Sequence, residues 1–146
     1  QRFKYWMWQH PALYQVNECK LEEIIGLKNL GIETVQDKRI INIGHLPYMH
    51  GHELWRSIMN PVNPARGLFL KAKGTAACGH FHQSSEHTTK NIKKEIITCW
   101  SIGCACQLNP FYMPINEWNN GFATIEKTPS GLFNFDNYRM LDGEIL

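Results

Sequence analysis

No run of apolar residues in this 146-residue chain approaches the ~20 needed to span a bilayer, so no transmembrane helix and no membrane partner is expected. A basic start followed by an apolar centre, the mark of a secretory signal, is also missing. The formal net charge is only +2, too small for a dedicated nucleic-acid binder, which carries a basic stripe. The single lysine cluster, "KNIKKE" at 90–95, reads as a solvated turn before a strand. There is no internal repeat and no low-complexity segment. Five cysteines are present, but none has the C-x-x-C spacing of a redox motif or zinc knuckle, and "CAC" at 104–106 does not either. Cys78, Cys99, Cys104 and Cys106 lie in or beside strand-like segments, where reduced buried thiols act as small hydrophobes. That usage points to a reducing, cytoplasmic setting without disulfides.

What is present describes a globular chain of one-domain size: 43% of residues are hydrophobic and 19% charged. Residues 2–10 and 17–32 read as helices. In the second, Asn17 is the cap, Leu21, Ile24, Ile25, Leu27 and Leu30 form a 3.6-residue stripe, and Gly31 is the stop. Residues 32–35, 38–43 and 46–51 then read as short strands. A short helix follows over 63–74, with Asn63 as cap, Pro64 at its first position and Gly74 as terminator. A buried strand opens "TAACGHFH", and further strands are expected at 95–103, 121–128 and 132–141, the last two joined by the turn "TPSG". Residues 104–120 form a proline- and asparagine-rich loop. The fold class is therefore α/β, an α+β arrangement around a mixed sheet.

Two histidine pairs stand out, in "YMHGHE" (48–53) and "ACGHFHQSSEH" (77–87). Histidines at i and i+2 of an extended chain project to one face, where the pair can chelate one metal ion at ~2.0–2.1 Å or bridge to a neighbouring one. Each pair follows an apolar strand, at the carboxyl end where open sheets place their sites. Glycine beside each pair lets the backbone bend there. Surface histidines without ligands are the plainer alternative.

"HGHE", "GHFH" and their flanking pattern resemble the calcineurin-like metallophosphoesterases, particularly the phage-type group. The likeness extends through "LEEIIGLKNLGIE", "NPAR", "SSEHT", "SIGCACQLNPFYMP" and "LDGEIL", and so covers the whole chain. It implies metal-dependent hydrolysis of phosphomonoesters or phosphodiesters, with nucleic acid as one choice of substrate. Two divalent metals, manganese, iron or zinc, would sit side by side. His50 and His80 would bind one ion and His82 the other. His52 would be an outer-shell donor or a phosphate contact, and Glu53 would orient a histidine. Arg66 and His87 are candidate substrate contacts.

The family's earlier motifs (aspartate-x-histidine, glycine-aspartate and glycine-asparagine-histidine-glutamate) are absent. The expectation is therefore a single partial domain, 1–146, equivalent to the C-terminal half of the family's four-layer αββα sandwich. Its apolar sheet would be left exposed, and its partner would be the missing N-terminal half or a complementary chain. Alone, such a chain would hold one metal ion or none. The competing reading is a non-catalytic metal-binding or structural half-domain, with three histidines around a single zinc. Of the other residues, His10 reads as a helix-end cap and His45 as a turn residue. Trp55, Trp100, Trp118 and Phe122 read as core or loop anchors.

Overall fold

The computed structural model describes residues 2–35, 39–52 and 62–146. The chain divides into two compact units, Gln1–Asp37 and Lys38–Leu146, each described by itself. Among the described residues, no helix is long and apolar enough to cross a membrane.

The first unit is a string of short helical pieces. Helix α1 (Arg2–Trp8) is followed by α2 (Pro11–Tyr14), a 3-10 turn (Asn17–Cys19), α3 (Leu21–Ile24) and a second 3-10 turn (Leu27–Leu30). His10 closes α1 as expected: its Nδ1 lies 2.8 Å from the Trp6 carbonyl oxygen and its ring stacks on the Trp6 indole. The continuous helix expected over 17–32 is broken. Gly26 takes the left-handed conformation (φ 64) between α3 and the second 3-10 turn. One such residue ends the i to i−4 ladder, and the apolar stripe is cut before it can form a packing face. Gly31 (φ 69) then stops the segment, as its sequence position suggests. No strand forms over 32–35.

The second unit is the expected mixed α/β structure, built on two sheets. The larger has the order β1-β2-β3-β5-β4: β1 (Ile41–Ile43), β2 (Leu46–Met49), β3 (Ala76–Cys78), β4 (Ser85–Lys90) and β5 (Ile96–Ser101). Strands β2, β3 and β5 are parallel; β1 and β4 flank them antiparallel. The fully buried central strand β3 reads as an uninterrupted run of small apolar residues, as a strand covered on both faces should.

Helix α4 (Pro64–Ala72) packs on this sheet. The Asn63 side-chain oxygen accepts from the Arg66 amide at 3.0 Å, and proline occupies the first turn. The left-handed residue that ends the helix is Lys73 (φ 56), one position earlier than the expected terminator Gly74. The buried face of α4 presents Ala65 and Leu68 to Ala76, Cys78 and Cys99, with Met49, Phe69 and Phe81 around them. On the opposite face of β5, Trp100 stacks on Phe135 of the second sheet, with ring centroids 4.6 Å apart.

That second sheet is antiparallel, β6 (Asn120–Lys127), β7 (Phe133–Leu141) and β8 (Glu144–Ile145). The 128–131 turn closes as expected, the Thr128 amide donating to the Leu132 carbonyl at 2.8 Å. It then meets the β1–β2 turn: the His45 amide donates to the Gly131 carbonyl at 2.9 Å. A Cβ at Gly131 would lie 2.6 Å from the His45 ring and force it to shift, and the backbone there (φ 88) is strained for any other residue. The apolar exposure expected of a half-sandwich does not fall on the five-stranded sheet. Among the described residues of that sheet, Ile96 is the one exposed large apolar side chain. Exposure falls instead on the three-stranded sheet, at Phe122, Met140, Leu141 and Ile145.

Candidate metal centre

The register of the three parallel strands sets the site. Met49 pairs with Cys78, and Cys78 with Ser101, so β2, β3 and β5 end level with one another. Just beyond each end comes a donor-x-donor pair: His50 and His52 after β2, His80 and His82 after β3, Cys104 and Cys106 after β5. Six side chains of metal-ligating type are thus delivered to one sheet edge by topology. Carboxyl ends of parallel strands are where open α/β sheets hold their ligands.

Gly51 brings the first two loops into contact. It is buried at φ 109, and a Cβ there would lie 3.0 Å from the Gly79 carbonyl oxygen and 3.2 Å from the His80 Cβ. Glycine alone permits both the backbone angle and the approach. The result is a 3.0 Å contact between His50 Nε2 and His80 Nδ1. The His52 ring completes the group, its centroid 5.2 Å from that of His50 and 6.0 Å from that of His80.

The second pair does not chelate as an extended i, i+2 unit. His80 (φ 65) and His82 (φ 59) are both left-handed, a conformation uncommon outside glycine and in which histidine is enriched. Between them Phe81 packs against the core. His80 consequently joins His50, while His82 turns toward the third loop. Its Nδ1 lies 3.6 Å from Cys106 Sγ, and Trp118 meets its ring edge-on at 4.4 Å. Donor atoms of His82, Cys104 and Cys106 all fall within 4.8 Å of one another. Burial, and secondarily the nearby His50, lower the His82 pKa, so its ring favours the neutral state in which imidazole ligates.

Two asparagines fix this third loop. The Asn119 amide donates to the His82 carbonyl (2.9 Å), and its side chain both accepts from the Ser84 amide (2.7 Å) and donates to Ser84 Oγ (2.9 Å). The Asn120 side chain donates to the carbonyls of Cys104 (3.1 Å) and Cys106 (2.9 Å). Cys104 is buried, as the sequence suggests, but Cys106 is exposed, contrary to its reading as a buried thiol. It lies beyond the strand, in the open loop. Desolvation, together with the adjoining Cys104 thiol, raises the Cys106 pKa.

The remaining candidates stand apart from these clusters. Arg66 is exposed on the first turn of α4. His87 sits in β4 opposite Cys99, its ring 5.1 Å from that of Phe69 in α4. Glu53 and Trp55 lie outside the described residues. The cysteine pair was missed by reading each motif against known spacings. The available signal was repetition: "HGH", "HFH" and "CAC" are three donor-x-donor units behind three strands. Comparisons of the chain with family models, with curated proteins and with solved structures found no match.

Proposed function

We propose that this chain supplies the histidine ligands of a two-metal centre that hydrolyses phosphoester bonds, in the manner of the calcineurin-like metallophosphoesterases that its motifs resemble. The observation that carries the proposal is the 3.0 Å contact between His50 Nε2 and His80 Nδ1 at the carboxyl edge of the parallel strands. Two imidazole nitrogens each ~2.0–2.1 Å from a shared ion span about this distance at a near-right angle. The donor set therefore fits a divalent metal. His50 and His80 hold one ion, His82 belongs to the other, and His52 stands close enough to orient a ligand or contact a phosphate. Bound divalent ions at such a site neutralise phosphoryl oxygens and make water acidic enough to act as a nucleophile at neutral pH. The protein's own part is to hold the imidazoles in place through Gly51 and the two left-handed histidines. Trp118 screens one side of the His82 ring.

On this reading the two sheets belong to a four-layer sandwich. The bridging aspartate, the asparagine ligand and the acid histidine are contributed from outside these 146 residues, by another segment or a complementary chain. Of the two substrate candidates, exposed Arg66 is the better placed, since His87 is packed against Phe69. Phosphomonoesters and phosphodiesters, nucleic acid included, are the substrate class.

Protein expressed from the complete reading frame and loaded with manganese, zinc or both should hydrolyse bis(p-nitrophenyl) phosphate. Chelator should stop turnover, and His80→Ala should lower it by at least the roughly 10–100-fold typical of losing even an outer-shell partner. Metal-loaded protein without turnover would sink the proposal. A second reading, a metal-binding module without catalysis, is favoured by one observation: the donor trio found among the described residues, His82, Cys104 and Cys106, contains no carboxylate to bridge two ions.

A further inference from the structure

We infer that His82, Cys104 and Cys106 form a thiolate metal site, selective for a thiophilic ion such as zinc, with its remaining position open to solvent or substrate. The assignment needs no hydrolytic activity. Where the hydrolytic reading holds, it makes the ion of His82 a thiolate-bound one.

Geometry comes first. A tetrahedral zinc ion has Zn–S near 2.3 Å and Zn–N near 2.0–2.1 Å, so adjacent nitrogen and sulfur ligands lie about 3.5 Å apart. His82 Nδ1 and Cys106 Sγ are 3.6 Å apart, and Cys104 closes the trio within 4.8 Å. No large rearrangement is needed to admit an ion.

Preorganisation is the second observation. The trio comes from two chain segments that have no sequence reason to meet, and a third segment, 119–120, ties them together. The Cys104 amide donates to the Asn119 carbonyl (3.0 Å), and the Asn119 amide donates to the His82 carbonyl (2.9 Å). Asn120 clamps the carbonyls on either side of Ala105. His82 accepts a left-handed backbone to aim its ring at the thiols. Strain of this kind, held by surrounding bonds, is found at ligand clamps.

Donor chemistry then selects the ion. Two sulfurs and one imidazole suit zinc or cuprous copper, whereas manganese, magnesium and calcium favour oxygen donors. The burial is graded as well: Cys104 is buried, His82 half-buried and Cys106 exposed, which leaves an access route and an open position. Three protein ligands with one free position is the pattern of reactive rather than purely structural zinc.

Cobalt titration of the fully reduced chain tests this. One equivalent of cobalt should bind with a near-ultraviolet sulfur-to-cobalt charge-transfer band, and zinc should displace it. Cys106→Ser removes an exposed thiol and should leave the fold intact while cutting that band by about half, for one of two thiolates, and weakening zinc binding more than about 100-fold, beyond an outer-shell loss. His82→Asn, which tolerates the left-handed backbone, should keep the band but weaken affinity. His50→Ala and His80→Ala should leave the band untouched, which separates this site from the hydrolytic one. Cobalt bound without a sulfur band, no binding by reduced protein, or a band indifferent to Cys106→Ser would each overturn the assignment. Turnover without a band removes only this site; a band without turnover removes only the hydrolytic proposal.

Discussion

Leu30 and Leu68 are the same side chain with opposite fates. Leu68 on α4 is fully buried against a sheet, whereas Leu30 in the helical first unit is 69% exposed. Both stand in segments whose apolar residues recur at helical spacing. The difference is what each segment packs against. Helix α4 follows a capped start and lies over β3 and β5, whose small residues let it approach. The first unit breaks at Gly26 before its stripe can assemble, and Met7 is its one buried apolar residue among those described. Periodicity proposes a face, but only a partner surface makes the face worth burying.

Stability measurements can break that comparison. Leu68→Ala should cost about 2–5 kcal/mol in chemical denaturation, the usual range for a buried leucine that leaves a cavity. A loss below about 1 kcal/mol would mean that the α4–sheet layer is not the core. A smaller effect is expected from pH. Burial raises the Cys99 thiol from 9.0 to about 11, where it donates to the Gly74 carbonyl at 3.2 Å. A thiol that ionises more readily unfolded than folded favours unfolding once the pH passes its ordinary value. Its contribution is therefore intact below pH 9.0 and is lost as the pH rises through about 11. Denaturation across that window should show the decline, and Cys99→Ala should flatten it; an unchanged slope in the variant would refute the assignment. Least of all, Leu30→Ala should alter stability by no more than about 0.5 kcal/mol. A larger loss would show that the first unit has a core of its own.

The same contrast explains what could be read in advance. Strands β5, β6 and β7 and the 128–131 turn were legible because their patterns are local: apolar or alternating runs bounded by turn residues. Strand β4 was not. Its inward positions Ser85, His87 and Thr89 are polar, so its alternation carries no hydrophobic signal, although the burial alternates along it. Helix α4 was read with its cap, but its end was placed at Gly74 because glycine is the usual left-handed residue; Lys73 takes that role here. At the site, the histidine pairs and their place behind strands were legible. That His80 would side with His50 and His82 stand apart followed only from the family resemblance. Its physical cause was not legible, since it lies in Phe81 being drawn into the core and turning the backbone on either side of it.

The residue types at the sheet edge are a property of the sequence alone: three donor-x-donor pairs, each behind an apolar strand, and no aspartate-x-histidine among the 146 residues. Which donors share an ion was decided by tertiary structure. Metal ligation depends on distances of a few ångströms between segments far apart in the chain. Those distances were set by parallel register, by the glycine at position 51 and by the two asparagines that hold the cysteine loop against His82.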